Sequence, residues 1–338
     1  MPKIVRVLIA VILAAVLGWS GWWWFAAQAR QRAIAGWLEE RREAGWVAEA
    51  SAISVAGFPG RFDLGLEGLA LADPDAGWAW DAPSLQILSL AYRPGHVIVI
   101  WPERQRLSVP GETATLAVER MRGSVVFVPG SALEPERAVI EIYAPAATGS
   151  GGWTASAARM RIATRRLADD TAPGHAQELF VEAESVLLPE PLRRRIDPLG
   201  ALGEAVPLMR LDVALGFDAP WDRHAVEGRK PALIALSLRD LAAEWGELRL
   251  EARGRLHAGP DGLALGRIDL VARGWREMLR RAVAAGVIQP WLADALEAGL
   301  GVAAFMSGDA GTLRVPLVFE DGSMMLGPVP IGPAPRLQ

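Results

Sequence analysis

The sequence contains no cysteine and has lysine only at positions 3 and 230. Without thiols the chain forms no disulfide bond, no cysteine-ligated zinc site and no cysteine nucleophile. Arginine therefore supplies nearly all of the positive charge, and the formal net charge is still −4. Nucleic-acid binding requires a basic face, so we expect no nucleic-acid partner.

Histidine is also scarce, and its four positions are far apart: His96, His175, His224 and His257. A zinc site needs three or four clustered ligands, so we expect no metal and no cofactor. Only His224 has several carboxylates near it in the sequence, and a metal or general-base role there competes with a solvated loop. Those carboxylates are Asp218, Asp222 and Glu227. Because no G-x-S-x-G nucleophile elbow occurs either, we expect a non-catalytic protein, with a hydrolase as the remote alternative.

The sequence does contain one long apolar run without charge, VLIAVILAAVLGWSGWWWFAA, at residues 7–27. At ~1.5 Å per residue, a helix over this run spans the ~30 Å hydrocarbon core of a bilayer. The aromatic residues crowd its C-terminal end, where indole rings settle at headgroup depth. We therefore predict a cytoplasmic tail and transmembrane anchor over residues 1–27, with four membrane-anchor residues: Trp19, Trp22, Trp23 and Trp24.

A cleaved secretory signal is the alternative interpretation of the same run. Lys3 and Arg6 provide a basic start, and residues 27–29 have the small-x-small pattern of a cleavage site. The run exceeds the ~7–15 residues of a signal core, which favours an uncleaved anchor. Long following domains translocate largely regardless of charge, so we expect a single-pass inner-membrane protein with its bulk in the periplasm.

After the anchor, hydrophobic periodicity predicts an amphipathic stalk helix over residues 28–45 and then strands. In LMRLDVALGFD, for example, apolar residues alternate with polar ones at period 2, as in a half-buried strand. The turns are too close together to leave room for crossover helices, so successive strands are expected to pair antiparallel. We predict a mainly β (β-rich α+β) fold, a long curved antiparallel meander with a few packed helices. Its first lobe spans 46–190, and its second spans 191–338, with C-terminal helices over 275–306 and a proline-rich tail.

The predicted sheet has more apolar surface than the predicted helices can cover. Two helices of about 15 residues are each only ~22 Å long, and large exposed apolar patches are rare unless they bind something. A groove for lipid or an envelope assembly factor is one solution, and a closed β-sandwich that serves as a structural scaffold is the other. The predicted groove residues are Val97, Val99, Trp101, Met209, Leu211, Val213, Leu215 and Phe217.

Three stretches resemble a known family: GFPGRFDL from Gly57, YRPGHVIVIWPERQRL from Tyr92 and GPVPIGPAP from Gly327. They are similar to the alphaproteobacterial domain of unknown function 2125 family (DUF2125), over nearly everything after about residue 46. The resemblance implies an inner-membrane anchor and a β-rich periplasmic body, and it implies no catalytic residues. Residues 248–288 are more loosely similar to the C-terminal region of AsmA-like envelope proteins, which implies a role with envelope lipid. We thus expect the inner membrane as a partner, with lipid and an envelope protein complex as the further candidates.

Overall fold

A computed structural model describes residues 3–168, 174–197, 200–227, 229–286, 288–306 and 311–337. It is 53% strand, with antiparallel sheet and a long apolar N-terminal helix, and it confirms the mainly β prediction. The chain divides into two compact units, Met1–Val126 and Phe127–Gln338. The lobe boundary predicted at residue 190 lies inside the second unit, at the start of the helix Glu190–Ile196, which follows the strand His175–Val186.

The first unit begins with helix α1, Lys3–Glu43, which joins the predicted anchor and the predicted stalk without interruption. It is long and apolar enough, by length and composition, to cross a membrane, with a mean hydropathy of 2.2 in its most apolar window. No proline interrupts the helix. It ends where Gly45 adopts a φ of 88° and donates its backbone N–H to the Arg42 carbonyl at 3.0 Å. A glycine in the left-handed region is the usual end of a helix.

The described part of the first unit has eight strands: β1 (Val47–Glu49), β2 (Ala52–Ala56), β3 (Arg61–Asp73), β4 (Trp78–Leu90), β5 (Arg93–Trp101), β6 (Arg104–Val109), β7 (Glu112–Ala117) and β8 (Arg120–Phe127). Strand β3 pairs with β1 and β2 on one edge and with β4 on the other. The first half of β4 pairs with β6, and its second half pairs with β5. Strand β7 then pairs with β6, and β8 pairs with β5. All of these pairings are antiparallel.

Alternation along β3 explains how α1 packs on this sheet. Phe62, Leu64 and Leu66 are buried, whereas the residues between them are half-exposed. Ile34 of α1 packs against the cluster that contains Leu66, and Ala27 packs against Phe62. The apolar face of the strand is therefore covered by the end of the apolar run and by the part of α1 that follows it.

The second unit contains twelve strands and four helices among its described residues. The strands are β9 (Pro135–Tyr143), β10 (Ala146–Gly149), β11 (Thr154–Ser156), β12 (Arg159–Arg166), β13 (His175–Val186), β14 (Val206–Phe217), β15 (Leu233–Trp245), β16 (Leu248–Ala258), β17 (Ala264–Arg273), β18 (Thr312–Glu320), β19 (Ser323–Leu326) and β20 (Val329–Pro333). The helices are α2 (Glu190–Ile196), α3 (Arg223–Glu227), α4 (Trp275–Ala284) and α5 (Pro290–Met306). The last two match the predicted C-terminal helices.

Strands β12 to β20 form the predicted antiparallel meander, each pairing with the next, and β9 lies on the other edge of β12. Turn residues set these connections. Between β16 and β17, for instance, the Asp261 carboxylate accepts the backbone N–H of Leu263 at 3.0 Å, as in a turn closed by its own side chain. Helix α5 packs on β18 and β20, and α4 packs on β16. Their contacts build the main core of this unit around Trp275, Leu300 and Val315.

Candidate functional site

Five of the predicted groove residues lie on β14 and share one face of the sheet. In the register, Leu211 lies between Val181 of β13 and Leu241 of β15. Val213 likewise lies between Leu179 and Leu238. Because residues paired across neighbouring strands point to the same side, the apolar positions form a continuous stripe. We call this stripe the β14 face and define it by its members on β12 to β15: Met160, Ile162, Leu179, Val181, Met209, Leu211, Val213, Leu215, Phe217, Leu236, Leu238 and Leu241.

The β14 face is only partly removed from solvent. Val213 is buried at 4% exposure, but Met209 is 42% exposed, and Leu211, Leu215 and Phe217 are half-buried. The extensive helix contacts of this unit involve β16, β18 and β20. The helices therefore cover the C-terminal end of the meander, and the apolar surface of β12 to β15 retains exposed side-chain area.

The opposite side of the same strands carries charges. The Glu178 carboxylate is paired with Arg165 and Arg239, and Arg210 is 3.0 Å from Glu182. These side chains are partly exposed, and ion pairs of this kind contribute little to stability, about 0–1 kcal/mol each. Their role is to keep this face in water, so the sheet has one solvated face and one apolar face.

The other three predicted groove residues lie in the first unit, on β5. Val97, Val99 and Trp101 alternate with Ile98 and Ile100 and are half-buried. Val99 and Trp101 pack against the cluster of Leu66, Leu69 and Leu85, the same cluster that Ile34 of α1 contacts. The structure thus places the eight predicted residues in two apolar faces, one in each unit. The face in the first unit is packed against α1.

The tryptophans predicted to anchor the chain in the membrane also bind the turn between β2 and β3. The indole N–H of Trp19 donates to the Pro59 carbonyl at 3.0 Å, and that of Trp23 donates to the Arg61 carbonyl at 2.9 Å. Trp22 contacts the ring of Phe62 edge-on, with 6.1 Å between ring centroids. Sequence analysis missed these contacts, although the aromatic residues of GFPGRF were the available signal.

Phe62 is the centre of this aromatic cluster. It is 1% exposed, Trp23 stacks on one side of it, and the Arg30 guanidinium carbon lies 3.7 Å from its ring centroid. A cation over an aromatic ring contributes about 0.5–2 kcal/mol. Helix α1 is therefore held to β3 by directed contacts as well as by apolar burial.

The structure gives no support to a metal site at His224. No cluster of three or more His, Asp or Glu side chains that could hold a metal occurs in the described parts of the chain. Asp222 instead accepts the backbone N–H of His224 at 2.9 Å, and Asp218 pairs with Arg229. The side chain of Glu227 lies outside the described residues. His224 itself is exposed on α3, beside an open cleft of about 550 Å³.

The other three histidines lie on strands. His96 exchanges a hydrogen bond of 2.9 Å with the Ser124 hydroxyl, across the pairing of β5 with β8. His175 and His257 are exposed on β13 and β16.

Arg281, one member of a buried ion pair, lines a polar cleft of about 970 Å³ in the second unit. The Asp197 carboxylate is 2.7 Å from the Arg281 guanidinium and accepts the backbone N–H groups of Ala201 and Leu202 at 3.0 and 2.8 Å. Burial raises the pKa of Asp197, but the hydrogen bonds from Leu202, Arg281 and Ala201 outweigh it and leave the pKa below its ordinary value. The Arg281 guanidinium also contacts Glu277 at 2.7 Å. This arrangement joins the end of α2 to α4, which is a structural task.

No curated protein and no solved structure matches this chain. The similarity to AsmA-like proteins stays a prediction from the sequence. One family does match, described as an uncharacterized protein conserved in bacteria (DUF2125), and the match covers residues 22–335. It includes the apolar run from Trp22 onward, the turn that binds the tryptophans and both β-rich units. The chain therefore belongs to the DUF2125 family.

Proposed function

We propose that the protein is a membrane-tethered, non-catalytic lipid-binding protein of the periplasm, which holds apolar chains of lipid on the β14 face. The observation that carries this proposal is the partial exposure of a continuous apolar stripe, with Met209 42% exposed. Contiguous exposed apolar surface in a protein generally marks a binding site. The apolar helix α1 supports attachment to the inner membrane, where lipid is the abundant apolar ligand.

The dimensions of the β14 face suit an extended chain. At ~3.3 Å per residue, the stretch of β14 from Met209 to Phe217 is about 26 Å long. Branched and unbranched aliphatic side chains line it, and the neighbouring strands add Leu179, Val181 and Leu238 on the same side. Burial of apolar surface contributes about 25 cal/mol of favourable free energy per Å². An acyl chain lying along the strand would bury the exposed part of this face.

The chemistry of the face also favours a non-catalytic role. Its members are apolar, and the charged residues of β14 and its neighbours are engaged in ion pairs on the other side of the sheet. Binding there would depend on apolar contact and shape, which suits the variable acyl chains of membrane lipids. The polar side chains on this side of the sheet include Gln177 and His175, which pair with Leu215 and Phe217 at one end of the face.

Photocrosslinking of the full-length protein tests the proposal. We would place benzoyl-phenylalanine at Met209 and, as a matched control on the charged face, at Arg255, which is exposed on β16. Leu17 is a positive control because it is 71% exposed on the apolar part of α1. After irradiation in bacterial membranes, a lipid adduct at position 209 but not at 255 supports the proposal. If position 17 yields an adduct and position 209 does not, the lipid-binding function is wrong.

A further inference from the structure

Helix α1 and strand β3 run side by side in the same direction, away from the apolar run. At one end, Trp19 is bound to the Pro59 carbonyl. At the other end, the Arg42 side chain donates to the Ala48 carbonyl at 3.0 Å, and β1 pairs with the last part of β3. The β2–β3 turn is therefore the part of the first unit that lies at the level of the apolar run.

The part of the apolar run that precedes the Trp19 contact is too short to cross a membrane alone. From Val7, the first residue of the run, to Gly18, just before the Trp19 contact, a helix measures about 18 Å at ~1.5 Å per residue. The hydrocarbon core of a bilayer is about 30 Å thick. If α1 spans the bilayer, the core must extend past Trp19, and the turn that Trp19 binds must share its depth.

A second turn reaches the same level. The backbone N–H of Ala91 donates to the Gly60 carbonyl at 2.9 Å, so the β4–β5 turn is held beside the β2–β3 turn. Both turns expose a large aromatic side chain: Phe58 is 52% exposed and Tyr92 is 72% exposed. Trp24 and Phe25 are each 62% exposed on the neighbouring stretch of α1.

The chemistry of the two turns suits the boundary between headgroups and acyl chains. Aromatic rings are enriched at that boundary, and arginine can extend its charge towards the headgroups. Arg93 is exposed next to Tyr92. The Pro59 and Arg61 carbonyls receive indole N–H groups, which satisfies backbone acceptors that would otherwise be costly away from water.

We propose that residues 57–61 and 90–93, the membrane-facing turns, insert into the headgroup–acyl boundary of the bilayer. Phe58 and Tyr92 enter lipid at the same depth as the aromatic end of the apolar run. The first unit is then held at a fixed distance from the bilayer and does not reorient freely about α1. This inference rests on α1 being the membrane anchor of the proposed function, and it is independent of lipid binding on the β14 face.

Site-directed spin labelling tests the insertion, because the chain has no cysteine to remove. We would label Phe58→Cys and Tyr92→Cys in the full-length protein, reconstituted in bilayers of phosphatidylethanolamine and phosphatidylglycerol. Power saturation would compare collision with oxygen, which concentrates in lipid, and with a nickel chelate, which stays in water. Val109→Cys is the matched control. It is 55% exposed, and its neighbour Pro110 lies by Gly77 of the β3–β4 turn at the opposite end of the sheet.

We expect labels at positions 58 and 92 to collide with nickel several-fold less often than the label at 109. Leu13→Cys, on an exposed position of the apolar run, separates this inference from the anchor on which it rests. If the label at position 13 is exposed to lipid but the label at 58 or 92 is exposed to water, the proposed insertion is wrong and the membrane anchor still stands. An aqueous label at 13 would overturn both.

Discussion

Trp23 stacks on Phe62, with ring centroids 5.4 Å apart and ring planes within 9° of parallel. This contact joins the end of the apolar run to the first buried residue of the central strand. The same tryptophan donates its indole N–H to the Arg61 carbonyl, one residue before Phe62. The predicted membrane-anchor residue is therefore also part of the core of the first unit, and this dual role is open to direct tests.

Phe62→Ala should lower the free energy of unfolding by about 3–5 kcal/mol, because it removes a buried aromatic ring and leaves a cavity. Urea unfolding of the full-length protein in detergent, followed by tryptophan fluorescence, measures this change. Phe58→Ala is the control, since Phe58 is 52% exposed and should cost about 1 kcal/mol. Equal losses for the two variants would contradict the central position of Phe62.

Asp197→Ala should destabilise the protein by about 3 kcal/mol, because it leaves Arg281 buried without its main partner. The Arg281 side chain is 11% exposed in this pair and that of Asp197 is 1% exposed. Glu190→Ala removes an exposed pair with Arg194 and should cost less than about 0.5 kcal/mol. The comparison uses the midpoint of urea unfolding. A loss for Asp197→Ala no larger than that for Glu190→Ala would refute the structural role of the buried pair.

The lowered pKa of Asp197 predicts acid sensitivity. Burial of the carboxyl raises its pKa, but the hydrogen bonds and the ion pair lower the pKa by more than burial raises it. The pKa in the folded protein therefore lies below the ordinary value of about 3.9. The stabilising contribution is complete above that ordinary value and is lost as the pH falls through the folded pKa. Urea unfolding across this acidic range should show a smaller loss of stability for Asp197→Asn than for the wild type. Asp75→Asn, in an exposed turn, should follow the wild-type curve; if Asp197→Asn also follows it, the prediction fails.

Leu211→Glu should reduce lipid crosslinking at position 209 by about tenfold, because a carboxylate beside an acyl chain weakens binding by at least ~1.4 kcal/mol. Leu211 is the neighbour of Met209 on the β14 face. Arg255→Glu, which places the same carboxylate on the charged face, should leave the adduct yield unchanged. Adduct yields are compared by mass spectrometry for variants with unchanged urea midpoints. Equal yields from the two variants would show that the adduct arises elsewhere.

Much of the architecture could be predicted because strand periodicity is local. The alternation of Met209, Leu211 and Val213 with Arg210 and Asp212 predicted their common face, and the register confirms it. Helices α4 and α5 were likewise predicted from helical spacing and from Pro290 at a helix start. The extent of the candidate site could not be predicted in the same way, since the eight residues assigned to one groove lie in two units.

Short segments of the sequence suffice to establish that the apolar run is long enough to span a bilayer and that the strands are two-sided, because chain length, charge and side-chain direction are local properties. Tertiary structure alone decided which segments meet. Trp19 binds Pro59 across 40 residues, and Arg281 binds Asp197 across 84. Such contacts depend on how whole elements pack, and no periodic pattern within either segment records its partner.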